Sequence, residues 1–205
     1  MPDQFSEYTR TWVSHHPRWR YKLWEEKDLY FLTNHSCMMS AETYSEKSDV
    51  ARYEILMRYG GVYADTDFEC LRPIDELINE LDAFAGSENG THVSTGLMGA
   101  VPHHPYFSAL ANGIPGRIKS MPNGRPSETL GPGFATDIFK KMYGSSNNPP
   151  MHIFPSSIFY PYGRKERHLR NGPFPEAYAV HHWAGSWVES YERRKQRQLA
   201  GEESA

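Results

Sequence analysis

The segment RYGGVYADTDFEC, residues 58–70, constrains the fold of this chain more than any other stretch. Two glycines lead into a short apolar strand, and acids then stand at alternate positions, namely Asp65, Asp67 and Glu69. Three carboxylates this close repel one another, so water or a cation must offset their charge. Because ligands of open α/β sheets collect at the carboxyl ends of strands, the end of this strand is the first candidate for a site.

The residues before the two glycines predict the clearest helix of the chain. SEKSDVARYEILMRYGG carries a buried apolar stripe and ends at glycines that reach backbone angles which other residues resist. Asp49 and Arg52 lie about one helical turn apart and face the same way. They are either a surface ion pair of little energetic value or two ligand-binding groups beside the acids.

Periodicity and turn residues predict alternating helices and strands over the rest of the chain. The other predicted helices cover residues 3–15, 25–34, 74–81, 106–112 and 134–144. The predicted strands cover residues 19–24, 62–64, 82–88, 93–101 and 177–183. Residues 153–162 are predicted to be extended structure interrupted by prolines, and residues 113–133 a Pro/Gly-rich loop. We therefore expect one α/β domain, residues 1–188, and a polar helical tail, residues 189–205.

Length and charge exclude some classes of protein. A chain of 205 residues fits one domain, and a net charge of −3 gives no overall basic field, so nucleic acid is not expected as a partner. Cys37 and Cys70 are too few for a disulfide scaffold and are expected to be free thiols in a reducing compartment.

Several patterns bear on location. Neither a signal-peptide pattern nor an apolar run of about 18 residues occurs, which predicts a cytoplasmic protein. Basic clusters at residues 163–170 and 192–197 are either solvated or in contact with an anionic membrane. A peripheral position at the inner face of a membrane therefore stays open.

The spacing of Asp65 and Asp67 favours a metal site. Alternate residues of an extended chain point to one side, so both carboxylates can approach one divalent cation. Two ligands leave coordination positions for substrate phosphates and water. Phosphohydrolases of the haloacid dehalogenase type carry a Thr two residues after the second Asp, whereas Glu69 stands there in this chain.

The segment SDVARYEILMRYGGVYADTDFECLRPIDEL resembles the DXD-containing sugar-binding region of glycosyltransferase family 32. Further similar segments are HPRWRYKLWEEKDL, FAGSE, LMGAVPHHP, GPGF and YAVHHWAGSW, which together span most of residues 8–188. The resemblance implies a GT-A fold, a mixed α/β sheet flanked by helices, over residues 1–188. It also implies a retaining transferase that moves a sugar from a UDP- or GDP-sugar to a glycan or lipid-linked acceptor, as in polysaccharide biosynthesis.

The same resemblance implies roles for individual residues. It assigns a divalent metal, Mn²⁺ or Mg²⁺, to Asp67, with Asp65 and His181 as further ligands, and makes Asp65 and Asp67 the catalytic pair. The implied donor-binding residues are Asp49, Arg52, Tyr53, Asp65, Ser186 and Trp187, the last two at the leaving diphosphate. Strand alternation places His181 and His182 on opposite faces, so only one of them can readily face the metal.

The chain departs from the family pattern at two places. Family members generally begin with a short apolar strand that supports the nucleobase, whereas this chain starts at MPDQF. Either the recorded start is late or the fold lacks that first strand, which would expose a sheet edge. Thr95 stands where relatives often have Asn.

Two other functions stay open. One is a degenerate module that binds nucleotide and metal without turnover. The other is a metal-dependent phosphohydrolase that acts on nucleotide-sugars.

Overall fold

The computed structural model describes residues 3–122, 124–144, 146 and 149–185. Its helices are α1 (Asp3–His15), α2 (His35–Ser40), α3 (Tyr44–Tyr59), α4 (Asp75–Ile78), α5 (Pro105–Ser120), α6 (Pro126–Thr129), α7 (Pro132–Tyr143) and α8 (Ser156–Phe159), with 3₁₀ turns at Glu26–Asp28 and Arg164–Leu169. Its strands are β1 (Gly61–Ala64), β2 (Phe68–Cys70), β3 (Ala83–Ser87), β4 (Val93–Ala100), β5 (His152–Phe154) and β6 (Ala179–His181).

Four strands form a mixed sheet in the order β1-β4-β3-β5. The pairs β1 with β4 and β3 with β4 are antiparallel, whereas β5 runs parallel to β3. The other two strands, β2 and β6, form a separate antiparallel pair with Phe68 opposite His181. The predicted mixed α/β sheet flanked by helices, which a GT-A fold requires, is confirmed.

Both faces of the central strand β3 are buried, so its residues read as a continuous run of buried positions. Ala83 and Ala85 join a core cluster with the apolar residues of α3, α5 and α7. Phe84 points the other way and packs in a second cluster with Leu97 and Phe68. The sheet therefore separates two cores, and the β2–β6 pair covers one of them.

The helix α3 forms where the sequence predicts it and has clear ends. Thr43 and Glu46 form a reciprocal cap, since Thr43 Oγ1 accepts from the Glu46 N–H and Glu46 Oε2 accepts from the Thr43 N–H. Gly60 leaves the helix at φ 63°, and a Cβ built on it would lie 2.7 Å from the carbonyl oxygen of Ala100. Only glycine fits this exit into β1.

The edge strand β2 is covered by α1. The indole N–H of Trp12 donates to the Phe68 carbonyl at 2.9 Å, and Thr11 Oγ1 accepts from the Cys70 N–H at 2.8 Å. These bonds satisfy backbone groups that a strand edge would leave open. α1 therefore fixes the strand that follows the acidic turn.

The predicted strand over residues 19–24 is wrong, because that segment belongs to neither sheet of the described residues. Within the described residues no strand runs beside it, and a strand needs a neighbour to accept its backbone hydrogen bonds. The predicted helix over residues 25–34 is also wrong, since only the 3₁₀ turn Glu26–Asp28 forms there.

The loop predicted over residues 113–133 is wrong as well, because α5 continues to Ser120 through Pro115 and α6 follows. Proline lacks the N–H that would bond to the carbonyl four residues earlier, here Ala111. The side-chain amide of Asn34 donates to that carbonyl at 2.9 Å. The helix thus passes a proline whose missing bond is replaced from elsewhere in the chain.

For residues 153–162 the sequence predicts extended structure interrupted by prolines; β5 ends there at Phe154, and the short helix α8 follows, in which the Ser156 carbonyl accepts from the Tyr160 N–H. The two cysteines are free, as predicted. No helix among the described residues combines the length and the apolar character that crossing a membrane requires. The tail predicted at residues 189–205 lies outside the described residues.

Candidate functional site

A cleft of about 1700 Å³ opens beside the start of β2. Its lining includes both acids of the DXD sequence, the α3 residues Asp49 and Arg52, and His181. The acids lie where β1 ends, as the sequence predicts. We call this space the cleft.

The acidic segment is a turn and not an extended strand, which corrects the geometry expected from alternation. The Phe68 N–H donates to the Asp65 carbonyl at 3.0 Å, so the chain reverses between β1 and β2. The Asp65 N–H donates to the Gly96 carbonyl of β4 at 2.8 Å and ties the turn to the sheet. The two carboxylates therefore approach each other because the chain turns.

Asp65, Asp67 and His181 each offer one ligand atom, and these atoms lie within 4.8 Å of one another. Asp67 Oδ1 is 3.2 Å from His181 Nε2, and its other oxygen accepts from the Ala184 N–H at 2.9 Å. Two carboxylates and an imidazole form a donor set that a divalent cation such as Mn²⁺ accepts. The residues present therefore fit a metal site.

The imidazole of His181 is held between aromatic rings. It stacks on Phe68 with the centroids 4.7 Å apart and the planes 8° apart, and Trp183 lies 4.2 Å away on a tilted plane. Its Nδ1 is buried without a partner among the described residues, so only Nε2 is engaged. Packing thus aims Nε2 at Asp67 before any ligand is present.

The third acid of the sequence pattern faces away from this group. Glu69 Oε2 is 2.8 Å from His182 Nε2, and His182 Nδ1 lies 3.2 Å from the Tyr162 hydroxyl. His181 and His182 thus take different partners, as strand alternation predicts. The His182 N–H nevertheless donates to the Asp67 carbonyl at 2.9 Å, which extends the β2–β6 pairing to the acidic turn.

Arg52 is buried between two carboxylates. Its Nη2 is 3.2 Å from Asp49 Oδ1 and 3.3 Å from Asp65 Oδ1. Its other donors reach the Ser48 and Thr95 carbonyls. Asp65 also accepts from the Tyr63 hydroxyl at 2.7 Å. The pair predicted on α3 is therefore not a surface ion pair but the floor of the cleft.

Burial and local partners shift the pKa values of the three acids in different directions. Burial raises the pKa of Asp49 to about 7, although Arg52 opposes the shift. Burial also raises the pKa of Asp65, again against Arg52. For Asp67 the burial effect is outweighed by the hydrogen bond and charge of His181 and by the Ala184 N–H, so its pKa is lowered. Asp67 is thus the carboxylate that stays ionised most readily.

Some residues predicted for the site lie elsewhere. Tyr53 is fully buried, and its hydroxyl donates to the Leu130 carbonyl at 2.5 Å, so its side chain belongs to the core and not to the cleft. Neighbouring helix positions face different directions, and Arg52 takes the one toward the acids. Ser186 and Trp187 lie outside the described residues.

The sequence patterns gave no role to one acid that the structure places in the cleft. Glu88 follows β3 directly and lines the same space as Asp65. A polar residue at the end of a buried strand was the available signal, and it stands in the quoted segment FAGSE.

The N-terminal part of the chain is similar to a known protein family. Residues 2–84 match a family described as a glycosyltransferase sugar-binding region containing a DXD motif. This range includes α3, the glycine turn and the acidic turn.

Three curated proteins are similar to the chain. The mannosyl phosphorylinositol ceramide synthase CSH1 of Saccharomyces cerevisiae is 30% identical over 155 residues, 72% of this chain and 41% of that protein. The synthase SUR1 of the same yeast is 33% identical over 113 residues, 52% of this chain and 29% of that protein. The human alpha-1,4-N-acetylglucosaminyltransferase is 39% identical over 60 residues, 29% of this chain and 16% of that protein.

The chain therefore spans less than half of each of these relatives. Among solved structures, the PaToxG glycosyltransferase aligns with a TM-score of 0.44 and 12% identity, covering 58% of this chain and 46% of that one.

Proposed function

Because this chain is related to the glycosyltransferases that carry a DXD sugar-binding region, we propose that it transfers a sugar from a nucleotide-sugar to a hydroxyl group of an acceptor. The observation that carries the proposal is the convergence of Asp65, Asp67 and His181 in one cleft beside Arg52. Such a group can hold a cation against a diphosphate while leaving room for a sugar.

Asp67 would hold Mn²⁺ or Mg²⁺, with Asp65 and His181 as further ligands. When bound, the cation would stabilise the negative charge that develops on the leaving diphosphate. The chain prepares this site through the Ala184 N–H, which orients the Asp67 carboxylate. Preorganised groups of this kind contribute most to electrostatic catalysis.

Asp49 and Arg52 would bind the ribose and the donor sugar together with Asp65. Arg52 fixes both carboxylates from one side, which leaves oxygens of Asp49 and Asp65 to accept from sugar hydroxyls. Ser186 and Trp187 remain predicted contacts of the diphosphate.

The reaction forms a bond between the acceptor oxygen and the anomeric carbon as the bond from that carbon to the phosphate oxygen breaks. With retention of configuration, the acceptor attacks the face that the leaving group vacates. The acceptor proton passes to the departing phosphate oxygen, so no protein base is assigned. The chain contributes binding, orientation and charge stabilisation.

The names of the relatives suggest the first substrates to test. Two are named as synthases of mannosyl phosphorylinositol ceramide and one as an N-acetylglucosaminyltransferase. GDP-mannose and UDP-N-acetylglucosamine are therefore the first donors. Phosphoinositol lipids and glycans are the first acceptors.

A basic surface beside the cleft supports an acceptor that is bound in a membrane. The 3₁₀ turn Arg164–Leu169 and the residue after it expose five basic side chains, and Arg164 itself lines the cleft. The exposed basic residues are Arg164, Lys165, Arg167, His168 and Arg170. We place the protein in the cytoplasm, where this surface would contact the anionic inner face of a membrane. Pelleting with anionic but not with neutral vesicles is expected, and equal recovery with both would contradict the contact.

Calorimetry with Mn²⁺ and GDP or UDP, followed by a mass-spectrometric transfer assay, tests the function. Asp67→Asn is expected to abolish metal-dependent nucleotide binding and to lower transfer by about a hundredfold or more. The matched control is Asp82→Asn, because Asp82 is an exposed acid that does not line the cleft. Undiminished turnover of Asp67→Asn would refute the proposal.

The same assays separate the two alternative functions. Nucleotide binding without transfer or hydrolysis would indicate a binding module. Donor hydrolysis that added acceptors leave unchanged would indicate a phosphohydrolase.

A further inference from the structure

Glu88 is a carboxylate in the cleft that the proposed donor and metal contacts do not use. It directly follows β3, is half-buried and lines the same space as Asp65 and Asp67. The next residues, Asn89 and Gly90, are exposed. Glu88 therefore lies at the open rim of the cleft, whereas Arg52 lies at its buried floor.

The orientation of Glu88 is set by two hydroxyl groups. Ser94 Oγ is 2.9 Å from Glu88 Oε1 and 2.5 Å from the hydroxyl oxygen of Tyr160. A carboxylate has no proton to donate, and a serine hydroxyl has only one. The protons are therefore ordered, with Tyr160 donating to Ser94 and Ser94 donating to Glu88. This order leaves Glu88 as the acceptor at the end of a relay whose other members are buried.

The far end of this relay lies at the metal-binding group. A Cβ built on Gly96 would be 3.4 Å from the Tyr160 hydroxyl and 3.1 Å from Asp65 Oδ2, so both side chains cover the same glycine. The Tyr160 ring also packs edge-on against Phe68 and His181. The floor that holds the proposed metal ligands thus also positions the rim carboxylate.

The free oxygen of Glu88 has a defined chemical preference. Glu88 Oε2 has no partner among the residues that the structure describes, and a carboxylate oxygen accepts hydrogen bonds only. A diphosphate would be repelled by it, whereas the hydroxyl groups of a sugar or another polyol would donate to it. Glu88 therefore suits a neutral polyol.

We propose that Glu88 is an acceptor-binding residue, which takes hydroxyl groups of the acceptor polyol at the open rim of the cleft, and that Ser94 and Tyr160 are its positioning residues. The inference rests on the proposed function and adds the place and the chemical class of the acceptor. The donor fills the buried end near Arg52, so the acceptor must approach from the rim where Glu88 stands.

Ligand-observed NMR tests this proposal without requiring turnover. Methyl α-mannoside and myo-inositol serve as polyol probes, each titrated into the full chain saturated with Mg²⁺ and GDP, because paramagnetic Mn²⁺ would broaden the probe signals. At least one probe is expected to bind the wild type and to bind Glu88→Gln about tenfold or more weakly, as loss of a charge-assisted hydrogen bond requires. Ser94→Ala is expected to weaken the same probe less, because it frees the carboxylate to rotate.

Two control measurements show whether the loss of probe binding is specific to Glu88. Glu80→Gln changes an exposed acid outside the cleft and should bind the probe like the wild type. The dissociation constant for Mn²⁺ and GDP, measured by calorimetry, should stay within about twofold of the wild type in Glu88→Gln, which also shows that the variant is folded.

The inference is overturned if neither probe binds the wild type, or if Glu88→Gln binds the probe as tightly as the wild type. It is also overturned if Glu88→Gln weakens nucleotide binding instead, because Glu88 would then serve the donor. Failure of the proposed function is a different result, namely no binding of Mn²⁺ and GDP or UDP by the wild type.

Discussion

Arg52 on α3, which is buried, and Asp65 after β1, which is half-buried, form an ion pair, with Nη2 and Oδ1 3.3 Å apart, across the glycine turn that separates the two elements. The same nitrogen lies 3.2 Å from Asp49. One cation therefore holds two carboxylates at the floor of the cleft. Among the described residues, neither acid has another cation this close. Arg52 therefore links the helix α3 to the acidic turn.

Replacing this cation should destabilise the whole fold. Arg52→Met leaves the buried Asp49 and the half-buried Asp65 without their cation. Breaking a fully buried pair costs about 3–5 kcal/mol of the free energy of unfolding, and because Asp65 keeps part of its contact with water, we expect a loss at the lower end, about 3 kcal/mol. Urea unfolding measures the loss. Arg18→Met, which changes an exposed arginine, is expected to stay within about 0.5 kcal/mol of the wild type. Equal stability of the two variants would contradict a structural role for Arg52.

The two adjacent histidines offer a matched pair for the metal site. His181→Ala removes a proposed ligand and should lower Mn²⁺ affinity at least as much as loss of an outer-shell partner does, about tenfold to a hundredfold. His182→Ala removes the partner of Glu69 and should leave Mn²⁺ affinity nearly unchanged. Titration of free Mn²⁺ by electron paramagnetic resonance gives both affinities. A larger loss in His182→Ala would place the metal on the other face of the strand.

Asp49 should give the fold a pH dependence of known sign. Burial raises its pKa from 3.8 to about 7 despite Arg52, so the folded state binds this proton more tightly than the unfolded chain does. The contribution to stability is full below about pH 4 and is lost as the pH rises through about 7. Asp49→Asn cannot titrate, so its stability relative to the wild type should increase between pH 4 and pH 8.

Chemical denaturation of both proteins at each pH measures that difference. A difference that does not change with pH would mean that Asp49 stays ionised beside Arg52 over the whole range.

Local signals were sufficient to predict the elements around the acids. The apolar stripe of α3, the exit at Gly60 and the strand β1 all depend on residues close in sequence. The resemblance to family 32 is confirmed by the family match of residues 2–84 and by the curated relatives. Contacts from distant residues were beyond prediction, as at α5, where Asn34 supplies the bond that Pro115 lacks.

Side-chain direction limited the prediction of the site in the same way. His16 is buried, and its Nε2 accepts from the Ile74 N–H, 58 residues away. Glu54 is a buried carboxylate that accepts from the N–H groups of Thr33 and Asn34, which no motif indicated. Sequence spacing predicts which face of an element a side chain lies on, but not which distant residue it contacts there.

At Gly96 the backbone of β4 lies directly against the acidic turn. A Cβ there would lie 2.9 Å from the Phe68 ring and 3.1 Å from Asp65 Oδ2, both closer than ordinary contact. The Asp65 N–H is bonded to the Gly96 carbonyl, so the turn cannot withdraw without losing that bond. Gly96→Ala should therefore displace the Asp65 carboxylate, weaken Mn²⁺ binding and cost about 1–3 kcal/mol of stability.

Gly116→Ala is the matched control for this change. Nothing lies within 4 Å of a Cβ at Gly116, which is exposed within α5, so alanine is expected to stabilise the helix by up to about 1 kcal/mol. Thermal unfolding and Mn²⁺ titration of both variants separate a steric effect at the acids from the general effect of replacing glycine. If Gly96→Ala binds Mn²⁺ as tightly as Gly116→Ala does, the position of Asp65 against this glycine is irrelevant to the metal, because the methyl group must move that carboxylate or the ring beside it.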